Sequence, residues 1–367
     1  KLFTLIGALE RYNVEDSIAA ASPCAVVFPG VPYADGYNLS HMLHNDPGQP
    51  NGPVTLVRAT ADSINCAYLR LAHEVGLADI VAIAKSLGVT DATLNPENPS
   101  LVIGTESVRP IEMTAAYATV ADGGIYHTPD FVKEIEGLSG AVIYRADMVG
   151  RRIFSDEVAN EAIIALRATV QWGTGTAAAI AGQDVAGKTG TTSNSVDAWF
   201  NGISPTLACS VWIGNPSGEV PMYAGGAEVY GASFPTKIWH DIAAYVLRGA
   251  AQASFPPPDP AMVPPVKYID SPGLARDDLL SHGGVIPSAT TTTLRTTTTL
   301  PTVLATTPLP AVTVTPTVSL TPGDLVTPAV TVTAAKIAPS PSTSTSFPSA
   351  AAVPSAASST DGVNGRP

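Results

Sequence analysis

The chain has 367 residues and a formal net charge of −12, with 31 acidic side chains against 19 basic ones. This acidic balance argues against a nucleic-acid binder, which needs a basic surface to meet phosphates. Hydrophobic residues make up 45% of the chain, enough for a sizeable core. No apolar run reaches the roughly 18 residues that a membrane-spanning helix needs.

Apolar residues at helical spacing predict six helices in the first 250 residues. Between the first two of these helices, a stretch rich in Pro, Gly, Asn and Asp is predicted as a long loop over 22–53. The predicted helices cover residues 2–9, 62–71, 78–87, 111–121, 157–170 and 236–247.

The hydrophobic period changes between the last two of these helices. Residues 198–203 and 207–213 are strand-like, and Ser204-Pro205-Thr206 between them is a hairpin signal. Helices followed by a hairpin and a further helix favour an α+β fold, in which an antiparallel sheet carries helices on its faces.

The composition changes near residue 255. Residues 255–367 hold 19 of the 33 prolines, no Trp and three aromatic residues. Each proline removes a backbone hydrogen-bond donor. The large apolar groups are too few for their burial to offset the entropy lost when the chain is ordered. We therefore predict a folded body over 1–250 and a disordered tail, rich in Pro, Thr, Ser and Ala, over 255–367. The Val-Thr alternation at 312–319 is interrupted by proline and is not predicted as a strand.

The cysteines and histidines predict no cross-link and no metal centre. Cys24, Cys66 and Cys209 are far apart and odd in number, so we expect neither a disulfide framework nor a zinc site. Cys66 is predicted to be a buried helix thiol. His41 and His44 lie in the long loop without a third ligand nearby, so no metal is expected.

Two other polar groups have ordinary structural explanations. Glu10, Glu15 and Asp16 are predicted to form a solvated helix end rather than a catalytic carboxylate pair. The stretch 173–176 reads Gly-Thr-Gly-Thr but lacks the strand and the Gly-Lys-Ser/Thr spacing of a phosphate loop. It is predicted to shape a turn beside the strand that follows.

Three short stretches carry residue types suited to nucleophilic catalysis. The first is Lys188-Thr189-Gly190-Thr191, which alone would be explained as an exposed turn. The second is the triplet 63–65, Ser63-Ile64-Asn65, inside a helical pattern. The third is Lys1, at the start of the first predicted helix. A lysine placed one helical turn after a serine lies on the same helix face and can remove its proton.

Lys-Thr-Gly, Ser-x-Asn and a helix-opening lysine together resemble the transpeptidase domain of class A penicillin-binding proteins, the bifunctional peptidoglycan synthases. Further stretches extend the resemblance over nearly all of 1–250, and the low-complexity tail is similar to actinobacterial, mycobacterial-type members. These stretches are Lys1–Glu10, Val54–Leu56, Val108–Met113, Gly123-Gly124, Gly173–Thr176, Asp197–Phe200 and Val211–Asn215.

The resemblance implies the penicillin-binding transpeptidase or serine β-lactamase-like fold. It implies a D,D-transpeptidase that crosslinks stem peptides ending in D-Ala-D-Ala through a serine acyl-enzyme, with release of D-Ala. β-Lactam antibiotics would trap that serine. The implied partners are these stem peptides, β-lactams and cell-wall synthesis proteins, with no nucleic acid and no cofactor.

The resemblance also assigns roles to residues. Lys1 is the base, Ser63 relays a proton to the leaving amine, and Asn65 binds the peptide amide. Lys188 meets the terminal carboxylate of the substrate. The remaining strand residues, Thr189, Gly190 and Thr191, are assigned to substrate binding, as two hydroxyl donors and a close backbone approach.

The family's nucleophilic serine stands three residues before the lysine, and the printed sequence begins at Lys1. We therefore expect no acyl-enzyme from the chain as printed. The glycosyltransferase domain and membrane anchor that the family implies would also precede Lys1 and would hold the parent protein on the extracytoplasmic side of the cell membrane. A truncated chain or gene model and the remnant of a decayed gene are both open.

Two other functions remain open from sequence. One is a hydrolase of the same superfamily, a D,D-carboxypeptidase or β-lactamase, in which water attacks the acyl-enzyme. The other is a degenerate, non-catalytic module that binds stem peptides along the Lys188 strand.

Overall fold

The computed structural model describes residues 1–26, 28, 43–90, 93–258 and 265–271 and the backbone of residues 329–336. The helices in these ranges are α1 (Leu2–Leu9), α2 (Leu56–Ala61), α3 (Asn65–Val75), α4 (Leu77–Ser86), α5 (Pro110–Ala121), α6 (Asp156–Gln171) and α7 (Phe234–Val246). The strands are β1 (Ser17–Ala19), β2 (Pro53–Thr55), β3 (Ile125–Tyr126), β4 (Glu134–Glu136), β5 (Val142–Arg145), β6 (Arg151–Arg152), β7 (Ala186–Thr191), β8 (Asp197–Ser204), β9 (Leu207–Gly214), β10 (Tyr223–Ala224), β11 (Ala227–Glu228), β12 (Tyr268–Ile269) and β13 (Ala329–Lys336).

A four-stranded antiparallel sheet, in the order β13-β9-β8-β7, organises the molecule. β8 and β9 form the predicted hairpin, in register from Asp197 opposite Gly214 to Ser204 opposite Leu207. β7 pairs with the other side of β8 and forms an edge of the sheet. The other described strands form small sheets, which pair β1 with β2 and β12, β3 with β6, β4 with β5, and β10 with β11.

The two faces of this sheet bury different apolar clusters. On one face, Ala186, Ile203 and Ala208 join the large core formed with α1 to α6. On the other face, Phe200 packs edge-on against Trp239 of α7, with ring centroids 5.4 Å apart. Helices thus cover both faces of the antiparallel sheet, which confirms the predicted α+β class.

The six predicted helices agree with observed helices within four residues at each end, whereas α2 was not predicted. The helix predicted over 62–71 begins only at Asn65, because α2 ends at Ala61 and a turn intervenes. Ser63 in that turn has φ of +60°, in the left-handed region that non-glycine residues rarely adopt. The motif therefore lies at a helix junction and not inside a helix as predicted.

Packing continues beyond residue 250, where the body was predicted to end. Phe255 is buried at 4% exposure, and its backbone N–H donates to the Asp184 carboxylate at 3.0 Å. Further along, Ile269 is 2% exposed and lies in β12, which runs parallel to β1. The predicted disorder therefore does not apply to residues 255–258 and 265–271.

A buried carboxylate fastens this later segment to the start of the chain. Asp16 is fully buried, and its carboxylate accepts from the backbone N–H groups of Asn13 and Lys267 at 2.9 and 2.6 Å. The Lys267 ammonium also donates to the Arg11 carbonyl and lies over the Tyr12 ring. The prediction of a solvated helix end is therefore wrong for Asp16.

A strand from the predicted tail also joins the sheet. The backbone of Ala329–Lys336 pairs antiparallel with the whole of β9, from Gly214 to Leu207. The predicted disorder does not apply to this segment either. The remainder of the predicted tail lies outside the described residues, as does the Val-Thr stretch at 312–319.

No helix in the described part of the chain is long and apolar enough to cross a membrane.

Candidate active site

Three of the predicted site residues meet at the start of α1. The Lys1 ammonium donates to Ser63 Oγ at 3.1 Å and to Asn65 Oδ1 at 2.7 Å. It also lies 5.9 Å from the ring centroid of Tyr68, a cation–π distance. Lys1 thus joins two motifs that are more than 60 residues apart in the sequence.

The local backbone explains how Ser63 and Asn65 reach the same amine. Thr55 caps the N-terminus of α2 by accepting from the Arg58 N–H, and α2 ends after one and a half turns. The left-handed conformation of Ser63 then reverses the chain before α3 starts at Asn65. A continuous helix would place residues 63 and 65 on different faces, since they would be 200° apart.

A short loop covers the Asn65 side of the site. The Asn65 amide nitrogen donates to the His44 carbonyl at 3.0 Å, so its oxygen is left to face Lys1. Asn45 accepts from the Cys66 N–H at 2.8 Å and donates to the Ala20 carbonyl at 2.7 Å. These loop contacts were not predicted, because nothing in the spacing of His44 or Asn45 indicates them.

Lys188 enters the site from β7. Its side chain is 4% exposed, and burial together with the positive charge of Lys1 holds its pKa well below the ordinary value. The carboxylates of Asp46 and Asp62 act in the opposite direction. The charge of Lys1 therefore influences the titration of Lys188, although no direct hydrogen bond joins the two side chains.

Burial also changes the titration of Lys1. Desolvation lowers the pKa of its side chain from 10.5 to about 8, against the opposing effect of the Asp46 carboxylate. An amine with such a pKa exists in part as the neutral base near neutral pH. This is the protonation state that a general base requires.

The stretch 173–176 ties two of the motifs together. Thr174 N–H donates to the Ala61 carbonyl at 3.0 Å, and its hydroxyl lies 2.7 Å from the hydroxyl of Thr189. Gly173 allows this approach, because a Cβ there would lie 2.4 Å from the Ala61 oxygen. The predicted turn beside the Lys188 strand is therefore present, and it bridges the end of α2 to β7.

The far end of β7 is closed by residue 231. Gly231 N–H donates to the Thr191 hydroxyl at 3.0 Å, and a Cβ on Gly231 would lie 2.5 Å from the Gly190 oxygen. At Gly190, an added Cβ would lie 3.2 Å from Cβ of Trp199. The absence of a side chain at Gly190 thus relieves cross-strand crowding, while its predicted role toward a substrate stays a prediction.

The prediction that the cysteines form no disulfide is wrong. Cys24 and Cys66 are bonded to each other, and Cys209 is a free, buried cysteine in β9. Cys66 is therefore not the thiol that was predicted. No local pattern indicates this pairing, since 42 residues separate the two cysteines. Of the predicted histidine pair, His41 lies outside the described residues, and no cluster of metal-ligating side chains occurs among the residues described.

Comparison with known proteins identifies the family. The model of the penicillin-binding protein transpeptidase domain matches residues 30–228. Penicillin-binding protein 1A of Mycobacterium tuberculosis is 31% identical over 287 residues, which cover 70% of this chain and 33% of the relative. The solved structure of the penicillin-binding protein PonA1 from the same organism superposes with a TM-score of 0.63 at 28% identity, over 72% of this chain and 73% of that one.

A second structure of PonA1, in complex with penicillin V, superposes with a TM-score of 0.62 at 27% identity, over 70% of each chain. The chain therefore belongs to the penicillin-binding protein transpeptidase domain family, and the predicted resemblance to class A, mycobacterial-type members is confirmed. It spans about a third of the length of its curated mycobacterial relative.

Proposed function

We propose that this domain is a serine D,D-transpeptidase that crosslinks peptidoglycan stem peptides ending in D-Ala-D-Ala. The nucleophile is the hydroxyl of a serine three residues before Lys1, outside the printed sequence. The observation that carries the proposal is the contact of the Lys1 amine with both Ser63 Oγ and Asn65 Oδ1. These are the partners that a lysine base needs to pass a proton and to hold a peptide nearby.

In the acylation step, the serine oxygen attacks the carbonyl carbon of the penultimate D-Ala while neutral Lys1 accepts its proton. The peptide C–N bond then breaks. Ser63, 3.1 Å from the Lys1 amine, relays a proton to the departing D-Ala nitrogen. An acceptor amine from a neighbouring stem peptide attacks the ester, loses its proton to Lys1, and regenerates the serine.

The β7 residues are assigned to substrate binding. Lys188 offers a buried positive charge to the terminal carboxylate, and a bound carboxylate would raise the lowered pKa of Lys188 and keep it charged. Thr189 and Thr191 supply hydroxyl donors, and Gly190 permits a backbone alignment along the strand edge. The N–H of Thr191 and that of the serine form the oxyanion hole, worth about 3 kcal/mol per donor.

The same site accounts for reaction with β-lactams, whose strained amide would acylate the serine without a departing group. The penicillin V complex of PonA1 supports this part of the proposal. The Cys24–Cys66 disulfide supports an extracytoplasmic location, since disulfides persist in oxidising compartments.

Product analysis with a synthetic stem peptide tests the proposal. The chain is extended upstream through the serine, and D-Ala release and peptide products are followed by mass spectrometry with and without an acceptor amine. We expect release of D-Ala together with a crosslinked peptide dimer. Lys188→Gln should lose most of this activity, whereas Lys85→Gln, on the exposed end of α4, should keep it.

The other outcomes favour the alternatives. D-Ala release with only the shortened monomer as product would indicate a carboxypeptidase, because water would then be the acceptor. Peptide binding without D-Ala release would indicate a non-catalytic binding module. Either result would contradict the proposed transpeptidase.

A further inference from the structure

A disulfide adjoins the polar residues that contact Lys1. Cys66 follows Asn65 directly in the first turn of α3, and its partner Cys24 belongs to a separate segment of the chain. Both cysteines are fully buried. The proposed reaction uses neither sulfur, so the cross-link has no part in the chemistry described above.

Each of the residues 43–45 is hydrogen-bonded either to Cys24 or to the first residues of α3. Leu43 exchanges two backbone hydrogen bonds with Cys24, at 2.9 and 3.0 Å. Asn45 accepts from the Cys66 N–H at 2.8 Å. The segment 43–45 is thus bonded at one end to Cys24 and at the other to Cys66, and the disulfide holds these two ends together.

The middle residue of this segment orients the site. The His44 carbonyl accepts from the Asn65 amide nitrogen at 3.0 Å. An asparagine amide has one donor end and one acceptor end, so fixing the nitrogen on His44 turns the oxygen toward Lys1, 2.7 Å away. If the segment 43–45 moved, the Asn65 amide would lose this constraint and could rotate away from Lys1.

We infer that the Cys24–Cys66 disulfide is a positioning device for Asn65, acting through residues 43–45. Asn65 Oδ1 then stays aligned with the Lys1 amine, and acylation is fast only while the cross-link is intact. This inference rests on the proposed acyl-transfer function of the same site. Misplacement of a catalytic group by about 1 Å can cost as much as 100-fold in rate, so a loosened Asn65 should be measurable.

The test uses the chain extended upstream through the serine, in three forms. The first is unchanged, the second carries Cys24→Ala and Cys66→Ala, and the third is the matched control Cys209→Ala, which removes the free cysteine in β9. Stopped-flow labelling with fluorescent penicillin separates the dissociation constant of the initial complex from the rate constant of acylation. Thiol counting under denaturing conditions verifies one free thiol in the first two forms and none in the third.

We expect the acylation rate constant of the double variant to fall about tenfold or more, with the labelled fraction unchanged. The labelled fraction reports how much protein is folded, so a variant that is merely destabilised would lose labelled fraction and keep the rate constant. The unchanged chain, reduced until three thiols are counted, should behave like the double variant. The double variant itself should not respond to the reductant, and Cys209→Ala should keep the unchanged rate.

An acylation rate constant within twofold of the unchanged chain in the double variant would overturn the inference. So would a reduced chain that is acylated as fast as the oxidised one. If the unchanged chain itself were not labelled by penicillin, the proposed function would fail instead, so the two failures are distinguishable.

Discussion

The proposed chemistry depends most on the side-chain amine of Lys1. Its pKa of about 8 arises from burial, and the neighbouring Asp46 carboxylate limits the shift. At pH 7 about a tenth of such an amine is neutral, whereas at the ordinary value of 10.5 only about one in 3,000 would be. Burial therefore supplies most of the base that the site needs at neutral pH.

This pKa predicts the pH dependence of acylation. The neutral amine is the active form, so the acylation rate constant should rise about tenfold from pH 7 to pH 9, with a midpoint near 8. Asp46→Asn removes the charge that favours the ammonium form, so its midpoint should move to lower pH. Stopped-flow penicillin acylation of the extended chain across this range measures both, and a flat profile would contradict the role of Lys1.

Substitutions of Ser63 should affect the stability of the protein and its activity separately. Its φ of +60° costs a residue with a side chain about 1 kcal/mol relative to glycine. Ser63→Gly should therefore be about 1 kcal/mol more stable to urea unfolding than Ser63→Ala, although both lose the hydroxyl and should lose most acylation. Equal stability of the two variants would mean that the left-handed turn does not persist.

At the scale of elements, the site depends on a bridge between α2 and β7. Thr174 joins the Ala61 carbonyl to the Thr189 hydroxyl, so it fixes the Ser63 turn relative to the strand that carries Lys188. In these contacts, α2 and β7 are joined through Thr174 and not by a direct hydrogen bond between them. We therefore propose that Thr174 is a positioning residue, which acts through Ala61 and Thr189.

Three substitutions test this bridge. Thr174→Ser keeps the hydroxyl and should be acylated within twofold of the unchanged rate. Thr174→Ala and the isosteric Thr174→Val remove the hydroxyl. Loss of a hydrogen bond worth about 1 kcal/mol corresponds to a five- to tenfold loss of rate. Penicillin acylation of the extended chain measures all three, and normal rates for Thr174→Val would show that volume alone matters.

The elements themselves could largely be predicted from the sequence. Apolar periodicity locates α1, α4, α5, α6 and α7, and alternation with a turn signal locates the β8–β9 hairpin, because these patterns report local burial. The break at Ser63 could not be found in this way, since residues 62–71 keep a helical pattern through the turn. Short strands such as β1 and β12 were missed because their pairing depends on partners about 250 residues apart.

The motifs of the site could be predicted from the sequence, but the contacts that hold these motifs in place could not. Lys1, Ser63 and Asn65 were selected by resemblance, and their contacts agree with that selection, while their catalytic roles stay predictions. The disulfide and Asn45 were missed because long-range pairing leaves no local pattern in the sequence. Hydrophobic periodicity reports local structure and does not show which distant loops contact each other.

At the scale of the molecule, the segment after residue 250 belongs to the fold. Phe255 and Ile269 are both buried, and burial of one such side chain stabilises a protein by about 1.5–3 kcal/mol. Asp16 receives a backbone hydrogen bond from Lys267 that closes the segment onto the start of the chain. The boundary predicted at residue 250 therefore leaves out the packed residues 255–258 and 265–271.

Two shortened chains test this boundary. Chains ending at residues 250 and 271 both lack β13, so they differ only in the segment of interest. The chain ending at 250 should have a free energy of unfolding lower by about 3 kcal/mol or more in urea titrations. Equal stability would restore the boundary predicted from composition.

The proposed reaction requires that a serine three residues before Lys1 forms an acyl-enzyme within this fold. Labelling with fluorescent penicillin tests it directly, on the chain as printed, on the chain extended through the serine, and on the extended chain with that serine changed to alanine. We predict covalent label only on the extended chain, with the adduct on the serine when the labelled peptide is sequenced by mass spectrometry. Absence of label from the folded extended chain, or label on the chain as printed, would exclude this serine as the nucleophile.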